Sequence, residues 1–124
     1  MEYRMVIEEH AGYKMLHTYL TGELTAEDRD RVGAEAIRTL RENGLYHSIW
    51  DVREAEVLYS MIKMHMSIVN VQETGLRQDM RVAVVYRPDQ HGFEHARTAA
   101  YNRSIYNLNY FEDFDEAIQW LVSK

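Results

Sequence analysis

The chain has 124 residues, of which 46% are hydrophobic and 27% are charged, and this balance is typical of one globular domain. The formal net charge is −6 and the basic residues form no stripe, so we do not expect binding to nucleic acid. The sequence has no cysteine, which excludes disulfides and thiolate metal sites. Since no stretch resembles a signal peptide or a membrane span, we predict a cytoplasmic protein.

Two strands and a helix begin the predicted fold. The strands run from Tyr3 to Glu9 and from Met15 to Glu23, and both are rich in residues that favour strands. Thr25 then begins a helix, because it is followed by acidic residues in the first turn and by apolar residues at helical spacing. Asn43 and Gly44 end that helix.

The middle of the chain contains a third strand and a second, Met-rich helix. The strand runs from Tyr46 to Val52, and the helix from Leu58 to about Gly75. We interpret the charged segment from Arg53 to Val57 as the loop between them, with Asp51 at the strand end as its anchor.

The C-terminal part again alternates strand and helix. Its predicted elements are a strand from Arg81 to Tyr86, a helix from about Asp89 to Asn102, a strand from Ile105 to Glu112, and a last helix that starts at Asp113 with Glu116. Strands that alternate with helices indicate a parallel sheet with right-handed crossovers. We therefore predict that residues 1–124 form a single α/β domain with a mixed, mostly parallel five-stranded sheet and about four helices.

The parallel topology predicts one candidate site. The loops that follow the third and fourth strands leave the same edge of the sheet, where ligands of α/β domains commonly bind. Five polar side chains would meet there and form a face for an anion or a partner: Asp51, Arg53, Arg87, His91 and His95. The alternative is that these groups only satisfy one another.

Two further features of the second helix allow a functional and a structural interpretation. Ser60 lies near its predicted start, where it is a candidate phosphoacceptor or a simple helix cap. Met61, Met64 and Ile68 could line a pocket for a small apolar ligand, or they could pack in an ordinary core.

Catalytic and metal-binding residues are not predicted. His91 and His95 are four residues apart, as in half of a metal site, but no third ligand has a recognisable spacing. Glu54 and Glu56 are best interpreted as solvated. We therefore expect no metal, no cofactor and no catalytic residue.

Three stretches carry a resemblance to a known family. They are YLTGELTAED at Tyr19–Asp28, the strand end Ile49–Val52 followed by Ser60, and the C-terminal half with the closing segment Phe111–Leu121. Together they resemble the STAS domain, and in particular its SpoIIAA-like subgroup with a Sec14-like type of fold, whose bacterial prototypes are anti-sigma factor antagonists. The resemblance implies a phosphoacceptor at Ser60. The acid and the glycine that flank the prototype serine are replaced here by Tyr59 and Ile62.

The resemblance implies a non-enzymatic regulatory domain that acts through an unidentified protein partner. Two alternatives from other classes stay open. One is a carrier of a small apolar ligand or lipid in the Met-rich pocket, and the other is an enzyme with a site at the edge that holds Asp51 and His91. Exposed Tyr and Met side chains leave a homodimer open as well.

Overall fold

A computed structural model describes residues 1–60, 75–102 and 105–123 of the chain. The elements within these residues are, in chain order, β1 (Glu2–His10), β2 (Tyr13–Leu24), α1 (Ala26–Glu42), β3 (His47–Val57), β4 (Arg81–Val85), α2 (Phe93–Asn102), β5 (Leu108–Phe111) and α3 (Phe114–Val122).

All five strands form one sheet in the order β1-β2-β3-β4-β5. β1 and β2 are antiparallel and share a turn at Ala11 and Gly12, both of which have a positive φ. The other neighbours are parallel, and such pairs require a crossover connection. The predicted α/β fold with a mixed, mostly parallel five-stranded sheet is therefore confirmed.

The two faces of the sheet carry two separate apolar clusters. The larger cluster lies between the sheet and helices α1 and α2, and its members include Leu20, Leu40, Trp50, Val84 and Phe93. The smaller cluster lies where α3 packs on β4 and β5, and it contains Ile49, Ala83, Val85 and Leu121. Polar side chains of β1, β2 and β3 occupy the rest of this second face.

Side-chain caps begin two of the helices, as predicted. The Thr25 hydroxyl accepts a hydrogen bond from the backbone N–H of Asp28 at 3.2 Å. The Asp113 carboxylate accepts one from the backbone N–H of Glu116 at 3.0 Å. Each cap satisfies an amide that has no partner within its helix.

The segment from Arg53 to Val57 is not a loop, and that interpretation was wrong. β3 continues to Val57 and pairs with β2 beyond a bulge between Tyr19 and Thr21. Ala55 is buried between exposed Glu54 and Glu56, which is the alternation of a half-buried strand. Glu54 and Glu56 are the outward-facing members of that strand.

Three other boundaries differ from the prediction. α2 begins at Phe93, because residues 88–92 form turns in which the backbone N–H of Gln90 donates to the carbonyl of Arg87 at 2.9 Å. β5 is shorter than expected, since Ile105 donates its N–H to Ala100 and completes the end of α2 instead.

The described residues contain three helices rather than about four. Of the predicted helix from Leu58 to about Gly75, residues 58–60 are not helical, and residues 61–74 lie outside the described ranges.

Candidate interaction groove and buried polar network

A groove of about 450 Å³ lies at the carboxyl ends of β3 and β4, the edge where a site was predicted. Its walls are Glu54–Val57 from β3, Tyr59, and Arg87 with Asp89–His91 from the segment that follows β4. The groove therefore contains two of the five predicted residues, Arg87 and His91.

Gln90 fixes the shape of this groove. Its side-chain amide donates to the carbonyls of Val52 at 2.7 Å and Ala55 at 2.9 Å, and its side-chain oxygen accepts from the backbone N–H of Arg87 at 2.6 Å. Arg87 in turn pairs with Asp89 at 3.0 Å, and this pair lowers the pKa of Asp89. One uncharged side chain thus joins the segment after β4 to the end of β3.

The other predicted residues lie elsewhere. Side chains alternate along a strand, and Asp51 and Arg53 point to the same side of β3 as Ile49, which belongs to the cluster under α3. No described contact joins Asp51 to His91. His95 is exposed on α2, and Ser60 is exposed just beyond β3. Met61, Met64 and Ile68 fall outside the described residues, so the predicted apolar pocket around them stays a prediction.

A buried polar network surrounds His17 on the second face of the sheet, beside the start of α3. The His17 side chain is only 2% exposed, yet both of its ring nitrogens meet a carboxylate. Nδ1 lies 2.8 Å from Oε1 of Glu8 in β1, and Nε2 lies 2.9 Å from Oδ2 of Asp51 in β3. A ring nitrogen that carries a proton can donate it to the carboxylate oxygen that it meets. The network therefore ties three neighbouring strands together.

Glu8 is the second centre of this network. Its Oε1 also meets Nε2 of His10 at 3.0 Å, and its Oε2 accepts a hydrogen bond from the Tyr19 hydroxyl. Burial raises the pKa of Glu8, but hydrogen bonds from Tyr19, His10 and His17 outweigh it and lower the pKa to about 2. Burial and the bond to Glu8 raise the pKa of Tyr19 to about 12. Glu8 is thus a carboxylate whose two oxygens are both held.

Asp51 is held from two sides. Arg53 donates to its carboxylate through Nε at 3.0 Å and Nη2 at 2.8 Å, while His17 approaches from β2. Burial raises the pKa of Asp51, but the bonds from His17 and Arg53 outweigh it and keep the pKa well below its usual range. The same pairing raises the pKa of Arg53. Asp51 therefore anchors a network. Its Oδ1 also accepts from the backbone N–H of Arg53 at 3.2 Å, as expected of an anchor, but this segment is a strand and not a loop.

Aromatic rings enclose the imidazole of His17. The Tyr19 ring stacks on it at 3.7 Å between centroids, and the Phe114 ring lies 5.7 Å away on a nearly parallel plane. Phe114 also contacts His10 edge-on and lies under the guanidinium of Arg53. The first residue of α3 thus covers the polar network and separates much of it from water.

Sequence reasoning missed Glu8, His10, His17 and Tyr19. The available signal was alternation: His17 and Asp51 are polar residues inside apolar strand segments. Their meeting depends on the register between strands, which pairs His17 with Val6 and with Ile49. A single sequence does not specify that register.

An apolar cavity lies between α1 and the sheet. Its volume is about 110 Å³, and residues such as Ile37, Trp50, Val84 and Tyr110 line it. Arg29 lies at this cavity and places its guanidinium over the ring of Tyr59 at 4.6 Å. The space is well below the roughly 300 Å³ that small-molecule sites usually offer.

The order and pairing of these strands, with helices on both faces, match the SpoIIAA-like fold. Solved structures with that fold match nearly the whole chain. A SpoIIAA-like protein from Shewanella loihica shows 21% identity and a TM-score of 0.57 over 96% of this chain and 93% of its own. An anti-sigma factor antagonist from Mycobacterium paratuberculosis shows 16% identity and a TM-score of 0.60 over 98% and 96%. Unphosphorylated SpoIIAA, also an anti-sigma factor antagonist, shows 10% identity and a TM-score of 0.51 over 93% and 92%.

The resemblance stated from the sequence is thus confirmed at the level of the fold. No protein-family model matches the sequence, and no curated protein matches it significantly. Among residues 1–60, 75–102 and 105–123, none of the helices has both the length and the apolar character that a membrane span requires.

Proposed function

We propose that this chain is a non-enzymatic regulatory domain that acts by binding a partner protein of the anti-sigma factor class. The observation that carries the proposal is the likeness in fold, over nearly the full length of both chains, to two anti-sigma factor antagonists. Such a domain acts by binding its partner, so its function requires a binding surface and no catalytic group.

The groove at the carboxyl ends of β3 and β4 is the surface that suits such a partner best. Carboxylates of Glu54 and Glu56 lie near Arg87 and His91, and Leu58 beside them is 50% exposed. An apolar side chain among charges of both signs is typical of protein interfaces. Arg87 is already paired with Asp89, and Arg53 with Asp51, so these cations favour a protein partner over a free anion.

Calorimetric titration of the chain with purified anti-sigma factors from the same organism tests the proposal. We expect one of them to bind, and the double variant Glu54→Lys/Glu56→Lys to weaken that binding by more than about tenfold, because interfacial charge reversal costs several kcal/mol. Glu9→Lys is the matched control, since Glu9 is exposed at the turn end of β1, where it pairs with Lys14 and lies away from the end of β3. Absence of binding to every anti-sigma factor, or equal weakening by the control, contradicts the proposal.

Ser60 is the proposed site of regulation. It lines a groove with Thr25, Ala26 and Glu27 at the start of α1, where exposed amides favour an anion. Phosphorylation would add nearly two negative charges beside the proposed interface. If this position regulates docking, Ser60→Asp should change the affinity for the partner by more than about threefold, while the neutral Ser60→Asn should not.

The alternative of a lipid carrier receives less support. The apolar cavity under α1 has a volume of about 110 Å³, and Arg29 and Tyr59 lie at it. A retained lipid in native mass spectrometry of the purified chain would favour the carrier over the interaction domain. A cytoplasmic location and a homodimer stay predictions.

A further inference from the structure

The network around His17 has the composition of a transition-metal site. Glu8, His10 and His17 converge from β1 and β2, and each offers a ligand atom within 4.8 Å of the other two. Nε2 of His10 and Nδ1 of His17 both face Oε1 of Glu8. Two imidazole nitrogens with one carboxylate oxygen suit divalent ions such as Zn²⁺ better than Mg²⁺ or Ca²⁺, which prefer oxygen ligands. We infer that Glu8, His10 and His17 bind a divalent transition-metal ion.

The spacing of the three atoms fits such an ion. Bonds of about 2.1 Å at tetrahedral angles place neighbouring ligand atoms about 3.4 Å apart. Oε1 of Glu8 lies 2.8 Å from His17 Nδ1 and 3.0 Å from His10 Nε2, as hydrogen bonds require. A cation that replaces the bridging protons needs each imidazole to move away from Glu8 by about half an ångström. The two imidazole nitrogens, which lie within 4.8 Å of each other, need to reach the same spacing.

The surrounding residues orient these ligands as metal sites require. Asp51 accepts from Nε2 of His17, which leaves Nδ1 as the nitrogen that can coordinate an ion. The Tyr19 hydroxyl holds the second oxygen of Glu8, so Oε1 is directed towards the two imidazoles. Arg53 fixes Asp51 in turn. This is the carboxylate–histidine arrangement that raises the basicity of a ligating imidazole.

The site is also accessible from solvent. The side chains of His10 and Glu8 are 27% and 25% exposed, whereas His17 is 2% exposed. An ion can therefore enter past His10 and meet a preformed pair of ligands behind it. The bound ion would link the turn end of β1 to its neighbour β2.

Titration of the chelator-treated chain with Zn²⁺ tests the site. We expect one ion per chain, and we expect His10→Ala and Glu8→Gln each to weaken binding by more than about tenfold. The matched control is His91→Ala/His95→Ala, which removes the exposed pair on α2 and should leave the affinity unchanged. Because His10 and Glu8 are partly exposed, their variants should fold, and circular dichroism verifies this.

Electron paramagnetic resonance of the Cu²⁺-loaded chain gives an independent measure of the ligands. Coupling to two imidazole nitrogens is expected in the wild type and to one in His10→Ala. The inference is overturned if the wild type binds no Zn²⁺, if His10→Ala binds it as tightly as the wild type, or if only the His91/His95 variant loses it. None of these outcomes depends on the proposed partner.

Discussion

Asp51 illustrates how a buried charge is tolerated at the scale of a single residue. Its carboxylate is 6% exposed and receives bonds from His17 and Arg53, which come from two adjacent strands. A lone buried carboxylate would be too costly to desolvate, and pairing on both sides offsets that cost. The imidazole of His17, which Asp51 contacts, is even more deeply buried, at 2% side-chain exposure.

Asp51→Ala should therefore destabilise the metal-free chain by about 3–5 kcal/mol, because it leaves the His17 imidazole buried without its partner on β3. Urea denaturation followed by circular dichroism in the presence of a chelator measures this change. Asp79→Ala is the matched control: Asp79 also pairs with an arginine, but at 58% side-chain exposure, so about 0–1 kcal/mol is expected. Equal costs for the two variants would show that burial of the network contributes nothing.

Tyr110 gives a second prediction at this scale, and it concerns alkaline pH. Burial in the larger apolar cluster raises the pKa of Tyr110 well above its ordinary value of 10.0. As the pH rises, the unfolded chain therefore releases the Tyr110 proton before the folded chain does. The contribution of Tyr110 to the free energy of unfolding is complete below about pH 10 and is lost as the pH rises towards the folded pKa.

The free energy of unfolding should accordingly fall more steeply above pH 10 in the wild type than in Tyr110→Phe, which lacks the ionising group. Denaturation midpoints measured on both sides of pH 10 test this. Tyr101→Phe should keep the wild-type slope, because the Tyr101 side chain is 70% exposed. A Tyr110→Phe variant with the wild-type slope would contradict the assignment.

At the scale of an element, β3 is a strand whose burial changes along its length. Its first half is buried on both faces, and its second half, beyond the bulge, alternates between exposed glutamates and buried Ala55. The bulge adds a residue on β3 and lets the strand continue beside β2 to the groove. Gln90 then holds this second half from the opposite side.

Removal of that contact should loosen the end of β3. Gln90→Ala leaves the carbonyls of Val52 and Ala55 without the amide that now donates to them, at a cost of about 1–3 kcal/mol. Hydrogen exchange in Arg53–Val57 should accelerate while exchange in β4 stays unchanged. Gln78→Ala is the control, since Gln78 is exposed. Unchanged exchange in Gln90→Ala would show that pairing with β2 alone fixes this segment.

The elements also show how far the sequence alone could predict this protein. Apolar periodicity and caps such as Thr25 and Asp113 depend on local interactions, so the strands and three helices were placed correctly in kind and order. Element ends depend on partners: β3 extends because β2 pairs with it, and β5 is short because residue 105 bonds back to α2.

For the candidate site, strand order placed some of the predicted residues, and side-chain direction decided the position of the others. Topology brings Arg87 and His91 to the edge where β3 ends, as expected. Side-chain alternation then turns Asp51 and Arg53 to the other face, where register places them beside His17. A prediction that uses strand order without side-chain direction cannot separate these two groups.

At the scale of the whole molecule, one sheet supports two unequal cores. The larger core lies under α1 and α2 and contains Trp50, and the smaller core lies under α3 with Trp120 packed against it. β3 and β4 contribute side chains to both cores, Trp50 and Ile49 being neighbours in sequence on opposite faces. Loss of either core would expose the strands that the other core needs.

The chain should therefore unfold in one cooperative transition, and its two tryptophans allow a test. In Trp120→Phe the fluorescence reports the larger core, and in Trp50→Phe it reports the smaller one. Within each variant the fluorescence midpoint in urea should equal the midpoint from circular dichroism, because a two-state transition is independent of the probe. Comparison within a variant removes the stability change that substitution of Trp50, only 8% exposed, will cause.

If Trp120 fluorescence changes at lower urea than the circular dichroism of the same variant, α3 detaches on its own. The network under Phe114 would then open to water before the fold is lost, which makes α3 a separable cover over His17 and not part of a single core.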